Sequence, residues 1–197
     1  MTWPAVALIV SLIAALATFA TLFALLVTGR LTVDTGWGRR LRPLGPQTLV
    51  IAASRERVFD LIAVPYVSAR PPRALREKVQ VIDRGQGMVL AAHRTSSTRF
   101  TTITVETVTF ERPERVGFHL VRGPVPHVRE RFVLRELDGG TSTELLYDGE
   151  LGTDGWAVGA AWGRIVAARW ESTVAASLAA LRSAAEAQSE RRRRPNG

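Results

Sequence analysis

The chain has 197 residues, no cysteine and a net charge of +8, which excludes disulfide scaffolding and thiolate chemistry. The charge is uneven: residues 30–42 hold four Arg against Asp34, residues 191–194 are four Arg, and residues 43–190 keep a balance of only +1. A near-neutral domain with basic ends lacks the basic face that nucleic-acid binding requires, so nucleic acid is not an expected partner.

Residues 1–29 carry no charged side chain, and Pro4–Val27 is almost wholly Ala, Leu, Val, Ile and Phe. About 20 apolar residues cross the hydrocarbon core as a helix. A cleaved secretory signal would have a basic start and a shorter apolar core, whereas here nothing basic precedes the run and Arg30 follows it directly. The stretch 1–29 therefore predicts a retained single-pass membrane anchor. Arg30, Arg39, Arg40 and Arg42 follow within about 15 residues, the zone where positive-inside bias is read. That bias predicts an outside amino terminus and a cytoplasmic remainder in the cell membrane, with the basic flanks facing anionic lipid.

Residues 30–46, with Gly36, Gly38, Pro43, Gly45 and Pro46, read as a basic linker. A single domain is expected over 47–190, followed by a disordered basic tail over 191–197. TLVIA at 48–52 predicts a strand. Ser54 then caps a short helix, SRERVFDLIAV, with Val58, Phe59, Leu61 and Ile62 on its apolar side. A Pro-rich bend at 65–72 follows, with a second helical turn through Leu75. Six alternating runs come next, at 78–83, 88–95, 100–110, 115–121, 127–137 and 143–151, separated by short turns that imply an antiparallel meander. A long helix closes the domain, from about Asp154 to about Glu190. Its apolar stripe is Trp156, Ala160, Gly163, Val166, Ala167, Trp170, Val174, Ser177, Leu178 and Leu181. The small residues Gly159, Ala160 and Gly163 thin the first half of that helix. A void between helix and curved sheet is then expected, and such a void is a ligand pocket.

The order strand, two short helices, six strands and one long helix resembles the helix-grip fold of the START-like, or SRPBCC, superfamily. The nearest likeness is to its polyketide cyclase/dehydrase and lipid-transport branch. It is carried by IAASRERVFDLIAVPY (51–66), MVLAAH (88–93), FERPERV (110–116), RGPVPHVRERFVL (122–134) and DGGTSTELLYDGEL (138–151). The resemblance implies an α+β domain, a seven-stranded antiparallel sheet wrapped on a long carboxyl-terminal helix, with a hydrophobic cavity for lipids, polyketides or similar molecules. The superfamily includes carriers, enzymes and sensors, so it implies no single activity.

Catalytic constellations are sparse. No G-x-S-x-G elbow or phosphate loop is present, and the three His have no metal-ligand spacing, so neither a metal nor a cofactor is expected. Strand alternation gives the best polar candidates. In HVRERFVLREL, Glu130 shares a face with Val128, Phe132 and Leu134, and in the next run Leu145 and Tyr147 share a face. An inward Glu130 is a candidate acid/base group, with His127 at the strand's mouth as its candidate partner. The face of His93 is undetermined. The expected ligand-binding residues are Tyr66, His93, Phe118, Glu130, Phe132, Leu145, Tyr147, Trp156, Gly163 and Trp170. The leading expectation is a membrane-anchored protein binding a lipid or other small hydrophobic molecule. A cyclase- or dehydratase-type enzyme and a ligand-free, membrane-recruited interaction module are the alternatives.

Overall fold

The structure, a computed structural model, describes residues 3–96 and 100–193. Helix α1 (Trp3–Val27) has no buried residue and is long and apolar enough to cross a membrane. Its only polar side chains, Ser11, Thr18 and Thr21, include two whose hydroxyls bond back to the helix, Thr18 to Ala14 O and Thr21 to Ala17 O at 2.9 Å each.

Seven strands follow: β1 (Arg40–Ile51), β2 (Val79–Arg84), β3 (Met88–Ser96), β4 (Thr101–Glu111), β5 (Arg115–Arg122), β6 (His127–Leu137) and β7 (Ser142–Thr153). They form one antiparallel sheet in the order β1-β7-β6-β5-β4-β3-β2. The two short helices α2 (Arg55–Val67) and α3 (Arg73–Lys78) lie between β1 and β2, and the long helix α4 (Trp156–Arg193) ends the fold. One face of the sheet buries Val89, Val108, Val116, Leu134, Leu145 and Leu151 against Val58, Phe59 and Ile62 of α2 and Val166, Val174 and Leu178 of α4. This is the helix-grip arrangement.

Three boundaries differ from the sequence reading. Strand β1 starts at Arg40, so the Gly/Pro-rich stretch 40–46 is half of a strand rather than linker. Its pairing with β7 shifts between Leu44 and Gln47, which accommodates the two prolines on an edge strand. Helix α2 continues through Pro65 to Val67, carrying Tyr66 inward. Helix α4 runs through Arg193, past the expected end at Glu190, while residues 194–197 of the basic tail lie outside the described residues.

The segment after α1 is fastened to the domain. Ile103 N donates to Thr28 O at 2.9 Å, and Thr102 Oγ1 donates to Val27 O at 2.9 Å. Thr32 Oγ1 donates to Gly123 O at 2.7 Å and accepts from Gly123 N at 2.8 Å. The Phe23 ring meets Trp162 of α4 edge-on at 6.1 Å. At Gly29, with φ +69°, a Cβ would stand 2.0 Å from Ile103 O, so only glycine fits this joint.

Candidate functional site

Alternation along β6 aims Val128, Glu130 and Leu134 into the grip, and all three are buried. Directly across the register from Glu130 stand Phe118 on β5 and Gly149 on β7. A Cβ at 149 would lie 2.8 Å from the Glu130 Cβ, so the glycine leaves room for the carboxylate to enter the core. Two donors converge on one oxygen there. Tyr147 Oη donates to Glu130 Oε2 at 2.8 Å, and Trp170 Nε1 of α4 donates to the same atom at 2.7 Å.

A second carboxylate, which sequence reasoning missed, faces the same interior. Glu106 sits on β4, and its neighbours Thr104 and Val108 on that face are buried with it. Thr104 Oγ1 donates to Glu106 Oε1 at 2.6 Å, and His93 Nδ1 lies 3.0 Å from Glu106 Oε2. The other ring nitrogen of His93 lies 2.9 Å from Tyr66 Oη. The signal for it is period-two alternation in FTTITVETVTF, which sets Glu106 on one face with Thr104, Val108 and Phe110. Between the two polar groups runs an aromatic row. Tyr66 and Phe118 are 6.2 Å apart, Phe118 and Phe132 are 5.5 Å apart, and Phe132 and Tyr147 are 5.6 Å apart.

The electrostatics follow from burial and neighbours. Burial, then the charge of Glu106, pushes the Glu130 carboxyl up to about 7, against the opposing effect of the Trp170 and Tyr147 bonds. Burial would raise the Glu106 carboxyl too, but the charge and hydrogen bond of His93 and the Thr104 bond outweigh it, holding it below the ordinary value. Burial works against a charged His93, and Glu106 more than compensates, raising its pKa. Burial, then the nearby carboxylates, pushes both Tyr66 and Tyr147 well above the ordinary phenol range. Glu106 and His93 thus each favour the charged form of the other, while Glu130 holds its proton more tightly than an ordinary carboxyl. Chemically, this set can donate hydrogen bonds to a carbonyl or hydroxyl, or move a proton.

Eight of the ten expected ligand-binding residues, Tyr66, His93, Phe118, Glu130, Phe132, Leu145, Tyr147 and Trp170, lie on this inner face or touch it. Two do not. Trp156 is 58% exposed, because α4 begins there at φ +50° and the ring lies over Gly38 on the outside. Gly163 packs on Thr153 and Leu151, where its missing Cβ would meet Thr153 Oγ1 at 3.0 Å. Ser177 also leaves the stripe, exposed and bonded to Thr173 O. His127 is not beside Glu130. Alternation puts it on the opposite face, where its Nε2 lies 3.0 Å from Glu150 Oε1 and its ring meets His119.

The expected void between α4 and the inner sheet face is filled at those positions, with Leu145 and Tyr147 fully buried. Two hollows lie at the surface. One, of about 370 Å³, lies along α2, α3 and the β2 edge; the other, of about 350 Å³, lies between β1 and the start of α4. The helix's small residues Ala160 and Gly163 do make room, but in this second groove, whose far wall is the edge strand. Among the described residues no group of His, Asp and Glu is arranged to hold a metal ion.

Solved structures share the architecture. The chain is similar to the ZhuI aromatase/cyclase from Streptomyces sp. R1128, with 21% identity, a TM-score of 0.59, and coverage of 81% of this chain and 98% of that one. It is also similar to a START superfamily protein from Mycobacterium smegmatis, with 16% identity, a TM-score of 0.54, and coverage of 75% and 98%. The di-domain aromatase/cyclase StfQ of the steffimycin pathway aligns at 21% identity and a TM-score of 0.51, over 75% of this chain and 47% of that one. No protein-family model and no curated protein matches the chain. The fold is therefore the helix grip that these aromatase/cyclase and START superfamily structures share; at these identities the likeness speaks to fold alone.

Proposed function

We propose that this is a membrane-anchored binding protein that takes a lipid or other apolar molecule bearing a polar group into its helix grip. The observation that carries the reading is Glu130. A core needs no carboxylate, and burying one is costly unless it is satisfied. Here both bonds converge on Oε2, and no described residue donates to Oε1. That oxygen and the Tyr66 hydroxyl are open to a carbonyl or hydroxyl on a guest. The aromatic row between them offers an apolar bed that a guest enters by displacing side chains. Anchoring is supported by the exposed apolar length of α1 and the Arg-rich stretch after it, which favours a cytoplasmic domain.

The test is mass spectrometry of small molecules that copurify with the detergent-extracted full chain, repeated on Glu130→Gln and Phe118→Trp. A retained apolar molecule, lost when Phe118→Trp fills the row, is the expected result. No molecule with the wild type or either variant would favour the interaction-module reading, which the closely packed grip supports. A second reading, a cyclase- or dehydratase-type enzyme, is favoured by the Glu106–His93–Tyr66 series, which is an acid–base set beside a readily protonated Glu130. It predicts that Glu130→Gln keeps the molecule bound but unconverted, whereas binding alone predicts only a modest change in affinity.

A further inference from the structure

We propose that the groove between β1 and the first turns of α4 holds the headgroup of an anionic phospholipid from the bilayer that α1 enters. This rests on the reading of α1 as a membrane span. The groove is about 350 Å³ and is walled by Arg40, Arg42 and Arg164, with Leu41, Pro43 and Leu151 adding apolar surface. No carboxylate lines it. Arg40 and Arg42 are two apart on one strand and so share a face, towards α4. Arg164 meets them from the helix, one residue after Gly163.

Some of the chain's guanidinium groups are paired. Arg39, Arg112, Arg115, Arg131, Arg135 and Arg182 each meet a carboxylate. Among the described residues Arg40, Arg42 and Arg164 have no such partner. Three like charges gathered round one hollow repel each other unless an anion joins them. Arginine's planar fork suits a phosphate.

The position of the groove selects the source of that phosphate. The joint between α1 and the domain lies at the end of the molecule where β1 and α4 both begin. There Asp154 organises a loop. Its Oδ2 accepts from Thr35 N at 2.7 Å and Gly36 N at 2.8 Å, and its Oδ1 accepts from Arg39 Nε at 2.7 Å. Gly155 N donates to Trp37 O, and Trp156 N donates to Gly38 O. The pinned loop presents Trp37, 75% exposed, next to the half-exposed Trp156 and to Val158, 82% exposed. Exposed tryptophans held on a fixed loop match the interfacial layer of a bilayer, where one edge of the ring is wet and the rest apolar. A free phosphate would use the arginines and leave this rim without purpose. A phospholipid uses both: phosphate in the groove, glycerol and upper acyl chain along the tryptophans.

The experiment is native mass spectrometry of the full chain in nonionic detergent, with dioleoyl-phosphatidylglycerol or dioleoyl-phosphatidylcholine added. One retained phosphatidylglycerol per chain is expected, with phosphatidylcholine retained far less. Arg40→Gln/Arg42→Gln/Arg164→Gln should weaken retention roughly a hundredfold, at the scale each basic residue contributes near anionic lipid. Arg164→Gln alone, on the exposed side of α4, should weaken it roughly fivefold and remains readable if the triple variant unfolds. Arg73→Gln/Arg115→Gln/Arg182→Gln should change nothing. Equal retention of both lipids, undiminished retention by Arg164→Gln, or complete displacement by an excess of inorganic phosphate would overturn the proposal. The last result would mark a site for free phosphate. A nitroxide on Ala14→Cys in vesicles, in a chain with no other cysteine, separates the two levels. If it is exposed to water, the membrane span and the groove proposal both fall. If it is buried in lipid while headgroup selectivity is missing, only the groove proposal falls.

Discussion

Replacing Glu130 with Gln should change how stability depends on pH, in a direction fixed by the site. The carboxyl binds its proton more tightly in the folded protein, with a pKa up to about 7 against an ordinary value of 4.5. Its favourable contribution is complete below about pH 4.5 and is lost as pH rises through 7. Two and a half pH units correspond to roughly 3 kcal/mol lost between those limits. Gln keeps the size and an acceptor for Tyr147 and Trp170 but does not titrate. His93, raised above 6.5 by Glu106, also loses its contribution as pH rises through its folded pKa, and Glu106 loses its own as pH falls through its depressed one. Both remain in the variant, so subtracting the two stability curves leaves the titration of Glu130 together with its coupling to Glu106 and His93. Guanidinium unfolding of the full chain in micelles, followed by tryptophan fluorescence from pH 4.5 to 8.5, measures the difference. It should favour the wild type most in acid and shrink by roughly 3 kcal/mol by pH 8.5. Parallel curves, within about 0.5 kcal/mol throughout, would refute the idea that burial and Glu106 hold Glu130 protonated.

Removing His93 leaves Glu106 buried without its counter-charge, so His93→Leu should cost roughly 3–5 kcal/mol. The denaturation midpoint reads this, and the double variant with Glu106→Leu should recover most of the loss; no recovery would mean the two side chains are not coupled. Gly29→Ala drives a methyl into Ile103 O and should loosen the joint between α1 and the domain, which limited trypsin digestion at Arg30 would report as faster cleavage. An unchanged cleavage rate would mean that the joint does not protect Arg30.

The architecture was legible because it rests on local signals: turn residues between alternating runs, an apolar stripe with a 3.6 period, and their order along the chain. The inward face of Glu130 and Tyr147 followed from alternation alone. The rest of the site depends on pairings between residues far apart in sequence. Whether His93 meets Glu106 or Glu130 is decided by the β3–β4 register, which sets His93 opposite Thr104 and Ala91 opposite Glu106. Trp156 was misplaced because its helical spacing fits the stripe, whereas a helix's first residue is positioned by the turn leading into it. The void expected from Ala160 and Gly163 was displaced to the β1 groove because β1 begins earlier than its Gly/Pro content suggested. Glycine and proline look alike in a linker and in an edge strand with a register shift.

That edge strand has a consequence for crowding. In the order β1-β7-β6-β5-β4-β3-β2, β1 is one of two open margins of the sheet. A second copy extending the sheet along β1 would meet Pro43 and Pro46, which have no N–H to offer, and a break in register between Leu44 and Gln47. The opposite margin, β2, is only six residues long and ends in Arg84. Neither margin is a good template for another strand. Anchored as proposed, copies of the chain would be confined to a two-dimensional layer and would collide far more often than dissolved ones do, and neither margin would let such collisions zip into aggregates.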